Sequence, residues 1–127
     1  MKSVVPVMKN EDDHVPVPSE WRSVLMFIVD NLSLGFFDFD LTSSGVKPIP
    51  LELKESIIYN LEGYGDPLVS LPDETWNTSV CQWELDHWVV HVDLYTSAES
   101  PSDLVLKVYV YEDGASYLFE VGLVYVP

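Results

Sequence analysis

Apolar residues recur at helical spacing in the first half of the chain and at every second position in the second half. Residues 1–18 fit neither period. Val4-Val5-Pro6-Val7 and Val15-Pro16-Val17-Pro18 are rich in proline, which fixes its own φ and restricts the residue before it, so an extended N-terminal arm is expected. Residues 19–66 read as mainly helical. Ser19 is a good N-cap, and Glu20 falls in the first turn, where the helix dipole favours an anion. Trp21, Leu25, Ile28 and Leu32 then share one face, widened by Val24 and Val29, and Gly35 is the expected stop. Phe36, Phe37 and Phe39 suggest a short strand, and Thr42-Ser43-Ser44-Gly45 a loop. A second helix is expected from near Pro50 to near Gly63. Its stripe is Leu53, Ile57, Ile58 and Leu61, and Gly63, Gly65 and Pro67 break the chain after it.

Residues 67–127 read as a β-meander. Four main strands are expected near 75–83, 88–96, 104–111 and 116–126, joined by short loops, so sequential antiparallel pairing is the simplest order. The fold class is therefore α+β, with two helices packed on one face of a four-stranded, or slightly larger, antiparallel meander sheet. Length and pattern make residues 1–127 a single domain.

Turn positions set the register. A turn at Glu84-Leu85-Asp86-His87 pairs Trp83 with Trp88, and their face carries Cys81, Val90, Val92 and Leu94. A turn at Glu112-Asp113-Gly114-Ala115 pairs Tyr111 with Ser116. Leu104, Leu106, Val108 and Val110 then lie opposite Tyr117, Phe119, Val121 and Leu123 as core. This register sets Lys107 across from Glu120, and a register that Asp93 could share would place it on Lys107's other side. Opposite charges so placed support a pairing by roughly 0.2–1 kcal/mol. The other face would carry Trp76, His91, Tyr95, Tyr109 and Tyr111, far more aromatic than an uncovered sheet face usually is. Trp and Tyr are enriched at binding hot spots, so these five are candidate partner-binding residues. The plainer alternatives are that the arm or residues 36–49 cover this face, or that it forms a homodimer.

Charge changes the picture most. The 127 residues hold 21 Asp and Glu against 6 Lys and Arg, a net −15. Nucleic-acid and anionic-membrane binding need the opposite sign, so both are excluded as ordinary partners. Hydrophobic residues make up 47% of the chain, too many for a disordered acidic tail, so the charge is carried on a folded body. The meander sorts part of it. Glu84, Asp86, Glu112 and Asp113 fall at one end of the sheet and join the candidate partner-binding residues. Asp73, Glu74, Glu99 and Asp103 fall at the other end, about 30 Å away along nine-residue strands. That exceeds the ~8 Å Debye length, so the two ends act as separate patches.

Candidate chemistry is thin. His87, His91 and Asp93 would line one strand face, but neighbours there stand ~6.5–7 Å apart and diverge, so no metal site is expected. Cys81 is the only cysteine and falls on the core face, which predicts a buried, inert thiol and no disulfide. No phosphate-cradling glycine loop is present, because Gly63-Tyr64-Gly65 is a helix stop. No catalytic residue and no cofactor are expected. The absence of a long apolar run or a secretory leader, with one cysteine, gives a cytoplasmic location as the default.

Leu71-Pro72-Asp73-Glu74-Thr75-Trp76 and Ser79-Val80-Cys81-Gln82-Trp83 resemble a family of small bacterial domains of unknown function. The resemblance runs on through His87-Trp88, Val92-Asp93-Leu94 and Ser102-Asp103-Leu104-Val105-Leu106. It includes Tyr111-Glu112-Asp113-Gly114, the ending Val124-Tyr125-Val126-Pro127, and Pro16-Val17-Pro18-Ser19-Glu20-Trp21-Arg22 near the start. Such a family implies no activity. By size, charge and class, though not by motif, the chain is also similar to bacterial immunity proteins, which neutralise toxin domains delivered by neighbouring cells.

The leading expectation is accordingly a protein-binding domain that is not an enzyme. Its most concrete form is an immunity protein that binds a cognate, basic toxin domain, such as a nuclease, and occludes it. One alternative is a small enzyme or ligand-binding domain, which a deep pocket with convergent polar groups would favour. Another is an acidic mimic of nucleic acid, which needs charges spaced like phosphates along a continuous surface.

Overall fold

Helices and strands divide the chain as their periods predict. The computed structural model describes residues 4–127, and the first three residues of the expected arm lie outside it. A two-residue strand β1 (Val15–Pro16) leads through a 3-10 turn (Ser19–Trp21) into α1 (Arg22–Ser33). A short α2 (Leu41–Ser44) and α3 (Leu51–Tyr64) follow. After a second 3-10 turn (Asp73–Asn77) come β2 (Val80–Glu84), β3 (His87–Asp93), β4 (Val105–Asp113) and β5 (Ser116–Tyr125). The strands form one five-stranded antiparallel sheet in sequence order. The class is α+β, and the arm supplies the extra strand.

The helical stripes go where their spacing sends them. Leu25, Ile28, Val29 and Leu32 of α1 are buried, and Gly35 turns the chain away with φ 78°. Ser19 does not cap this helix. Its Oγ accepts from the Val5 amide at 2.7 Å, so it ties down the arm instead. In α3 only Ile57 is fully buried, and Asn60 Nδ2 donates to the Val124 carbonyl at 2.8 Å, fastening the helix to β5. Residues 41–44 form a helical turn where a loop was expected, because the Asp40 carboxylate accepts from the Thr42 amide at 3.1 Å. Phe36, Phe37 and Phe39 form no strand. Phe37 and Phe39 turn inward to the core, and Phe36 is exposed.

The core lies between helices and sheet. Trp21 packs edge-on against Trp88, ring centroids 5.1 Å apart, with Tyr117 and Phe119 beside them. Trp88 Nε1 donates to the Met8 carbonyl at 2.9 Å, so the arm closes this end of the core and gives the indole its partner.

Three expectations about the strands are corrected. First, β2 starts at Val80, and residues 73–77 are 3-10 helix. Thr75 Oγ1 donates to the Asp93 carbonyl at 2.6 Å and Ser79 Oγ accepts from the Asp93 amide at 2.9 Å. Those side chains take the backbone groups that a longer strand would have bonded.

Second, β2 and β3 pair Trp83 with Trp88 as expected, but β4 and β5 close two residues further along. Gly114, φ 60°, opens a two-residue turn, so Ser116 faces Asp113 rather than Tyr111. Glu120 therefore faces Tyr109, not Lys107. A shift of two leaves every side chain on its own face, which is why the expected core largely survives.

Third, a bulge between Lys107 and Val108 leaves Gly122 without an opposite residue. It pairs Lys107 with Leu123 and buries Val124 in place of Leu123. On the other side of Lys107 stands His91, and Asp93 faces Val105. The ladder Asp93–Lys107–Glu120 does not form.

Candidate functional site

Pleating turns every second residue of β2–β5 away from the helices. The resulting face holds Val80 and Gln82 of β2, His87, Val89, His91 and Asp93 of β3, Val105, Lys107, Tyr109 and Tyr111 of β4, and Leu118, Glu120, Leu123 and Tyr125 of β5. Val89 is buried by its neighbours, and the rest are half-buried, so the rings are packed sideways but open above. The expected covers lie elsewhere. The arm runs along the free edge of β2, through β1 and an amide of Trp83 donating to the Asn10 carbonyl at 3.4 Å. It reaches this face at its border, where Gln82 Nε2 donates to the Glu11 carbonyl and His14 comes near enough to act on His91. Residues 45–47 run along the free edge of β5, bonded at 2.8 Å through the Lys47 amide to the Phe119 carbonyl and the Phe119 amide to the Gly45 carbonyl. Both edges are partly occupied, which hinders strand addition there, while the face remains open.

Its aromatic cluster is built by adjacent strands. His87 stacks on Tyr111, centroids 5.3 Å apart, and meets Tyr109 edge-on at 5.7 Å. Tyr109 lies across β5 over Gly122, where a Cβ would stand 2.9 Å from its Cε2. The bulge glycine thus makes the seat for the ring. Lys47 reaches over from the β5 edge, with Nζ 4.8 Å from the Tyr111 centroid and 3.5 Å from Glu120 Oε2. Lys107 Nζ lies 5.8 Å from the Tyr125 centroid. Burial, then Glu120, raises the pKa of Tyr111. Burial lowers that of His91, helped by Lys107 and His14 and opposed by Glu84 and Asp93.

The acids of the two hairpins stand at one end of this face, as expected. Glu84, Asp86, Glu112 and Asp113 are all exposed. Glu112 is paired with Lys9 at 2.8 Å. Asp86 Oδ1 lies 2.8 Å from His87 Nδ1, and that contact is the main cause of its lowered pKa. Between Glu84 and Asp86, Leu85 projects 90% exposed with φ 59°. The Asp86 amide donates to the Glu84 carbonyl at 2.7 Å across it, a tight turn in a region of backbone space that a leucine rarely visits.

Of the candidate residues, His91, Tyr109 and Tyr111 share the open face, and the four acids frame one end. Two candidates drop out. Trp76 sits in the 3-10 turn, 8% exposed, with the Arg22 guanidinium 5.3 Å from its centroid. Tyr95 follows β3 and is 6% exposed, and its carbonyl accepts from the Val69 amide where residues 68–69 pair alongside it. Lys47, Gly122 and Leu85 were not anticipated. Leu85 had a signal: a leucine where a two-residue hairpin turn ordinarily takes glycine or asparagine.

Residues 29–127 match a domain of unknown function, DUF7668. The chain belongs to that family. The stretches from Leu71 onward that carried the resemblance lie inside the match, and Pro16–Arg22 lies outside it. No curated protein and no solved structure is significantly similar to the chain. The open face of this DUF7668 domain, from β3 to β5, is thus wholly inside the matched region. Among the described residues no His, Cys, Asp and Glu group is arranged to hold a metal ion. No helix among them is long and apolar enough to cross a membrane. Cys81 is buried on the core face, and burial pushes its thiol up to about 11, so the thiolate is not the neutral-pH form.

Proposed function

We propose that this domain is a protein-binding module that works through the open face of its sheet, and most concretely an immunity protein that neutralises a toxin domain by occlusion. The observation that carries the reading is the contrast between that face and the rest of the chain. Away from the hairpin tips it holds two of the chain's 21 acids, Asp93 and Glu120, among aromatic and aliphatic side chains and beside Lys47 and Lys107. The acids stand around it instead. An apolar, aromatic centre inside a charged rim is the anatomy of a recognition surface. His91, Tyr109 and Tyr111 are the anchors, and Glu84, Asp86, Glu112 and Asp113 steer a basic partner.

The test pairs this chain with the C-terminal domain of any large secreted toxin encoded beside it. Co-expression should restore growth, and the two domains should form a 1:1 complex. Tyr109→Ala with Tyr111→Ala should abolish the complex. Charge reversal at Glu84, Asp86 and Asp113 should slow association at low salt and leave it nearly unchanged at high salt. A toxin that is neither bound nor neutralised removes the immunity reading. A complex that survives both sets of changes removes the sheet face.

A further inference from the structure

Trp76 lies off the sheet face and lines a different site, one that does not depend on the sheet-face reading. A cavity of about 800 Å³ opens between the arm, the first turns of α1 and the 3-10 turn at residues 73–77. That volume is within the ~300–1,000 Å³ range of small-ligand sites. Val5, Pro16, Met26 and the Trp76 ring give it apolar walls. Arg22 brings a positive charge to it, and Asp73 and Glu74 bring negative ones.

Trp76 carries the observation that points to a ligand. It is 8% exposed, yet its indole N–H has no acceptor among the described residues. The indole of Trp88 shows the usual arrangement, with its N–H donating to the Met8 carbonyl at 2.9 Å. The unpaired N–H of Trp21 is sealed inside the core, whereas that of Trp76 is not, so a molecule in the cavity can reach it. Arg22 stands beside it. Its guanidinium carbon is 5.3 Å from the Trp76 ring centroid, and the Val17 carbonyl holds the group there by accepting from Nε at 3.1 Å and Nη2 at 2.9 Å. Nη1 donates to no described residue. Ser19 follows the same pattern, because its Oγ accepts from the Val5 amide and its own proton has no described acceptor.

Unused donors on Trp76, Arg22 and Ser19 therefore line one cavity, and a carboxylate satisfies such a set. An anion alone would be repelled by Asp73 and Glu74, so the carboxylate has to come with a positive end. Residues three apart in a 3-10 helix eclipse one another at about 6 Å, which sets Asp73 one turn from Trp76. An extended dipeptide spans about 7 Å. We propose that this cavity binds a small apolar zwitterion of dipeptide size. Its carboxylate accepts from Trp76 Nε1 and Arg22 Nη1, its ammonium faces Asp73 and Glu74, and its side chains lie against Val5, Pro16 and Met26.

The test uses the full chain, labelled with nitrogen-15, titrated with leucyl-leucine, with its N-acetyl form and with its C-terminal amide. Each blocked form keeps the side chains and loses one charge. The Trp76 indole resonance, identified by its loss in Trp76→Phe, should shift saturably with leucyl-leucine, and each blocked form should bind several-fold weaker. Arg22→Lys should weaken leucyl-leucine about two- to tenfold and leave the amide nearly unchanged. Glu74→Gln, at an exposed residue, should weaken leucyl-leucine about twofold and leave the N-acetyl form nearly unchanged. A loosened fold would instead weaken all three peptides together. A Trp76 resonance that does not move at millimolar peptide, equal binding of the three peptides, or losses that ignore which end is blocked overturns the proposal.

Discussion

Gly122 is where the open face and the fold depend on each other most directly. A Cβ there would stand 2.9 Å from Tyr109 Cε2, 3.1 Å from the Lys107 carbonyl oxygen and 3.3 Å from Lys107 Cγ. Carbon atoms rest about 3.5–4.0 Å apart, so the ring contact is short by more than half an ångström. The lysine stem can yield, but the Tyr109 ring is held from the other side by His87. Overpacking of this kind costs about 1–3 kcal/mol. Removing glycine's backbone freedom returns roughly 0.5–1 kcal/mol. Gly122→Ala should therefore destabilise by about 0.5–2 kcal/mol. With a urea m-value of about 1.5 kcal/mol/M, that lowers the midpoint by roughly 0.3–1.3 M, readable in tryptophan fluorescence. The decisive measurement is the same change in a Tyr109→Ala background. If the ring is what collides, the cost should fall to within about 0.5 kcal/mol of zero, and the cycle should show a coupling of about 1 kcal/mol. An equal loss in both backgrounds would place the strain at the Lys107 backbone and refute the account of how Tyr109 is seated.

Leu85→Gly should stabilise the domain. Relief of a left-handed leucine is worth about 1–2 kcal/mol, glycine's added freedom in the unfolded chain takes back about 0.5–1, and a 90% exposed side chain gives up no packing. A thermal scan should show a Tm higher by about 2–5 °C, and a lower Tm would mean the strain is absent. His91 makes stability pH-dependent with a definite sign. Its folded pKa is lowered, chiefly by burial, so the unfolded state binds a proton first. The His91 contribution is complete above the unfolded value of about 6.5 and is lost as pH falls through that value toward the folded pKa. His91→Gln should flatten this limb of urea midpoint against pH, and an unchanged slope between pH 7 and 5 would remove His91 as its cause.

The parts of the fold written in periodicity were legible: the stripe from Trp21 to Leu32, the alternation that buries Cys81, Trp88, Val90 and Val92, and the Trp83–Trp88 pairing. What escaped was fixed by single groups acting against the average pattern. Thr75 and Ser79 replace a strand start with side-chain hydrogen bonds to Asp93. Gly114 sets the hairpin two residues tighter, and a bulge at Gly122 exchanges Leu123 for Val124. Hydrophobicity cannot register a two-residue shift, because both registers bury the same faces. The candidate site was legible to the same depth. Alternation placed Tyr109, Tyr111 and His91 together, but Trp76 was assigned to a strand start that is 3-10 helix instead, and Lys47 comes from a distant segment that local pattern cannot connect.

An open aromatic face invites a second copy of the same chain, and charge decides against that occupant. Both ends of the sheet are acidic. Glu84, Asp86, Glu112 and Asp113 stand at the hairpin tips, and Asp73, Glu74, Glu99 and Asp103 at the loops of the opposite end. Two copies packed face to face with strands running the same way set tips against tips and loops against loops. Turning one copy end for end sets tips against loops. Each arrangement brings carboxylates onto carboxylates within a Debye length of about 8 Å, where physiological salt screens them only partly. A chain of net −15 therefore opposes its own pairing through this face in either orientation, and the partly occupied edges of β2 and β5 hinder it through the strands. A partner with basic flanks and an apolar centre meets no such opposition. On this reading the negative charge has two uses, steering that partner in and keeping the face unoccupied until it arrives. Raising the salt should then weaken the partner complex and strengthen any dimer, opposite responses to one variable.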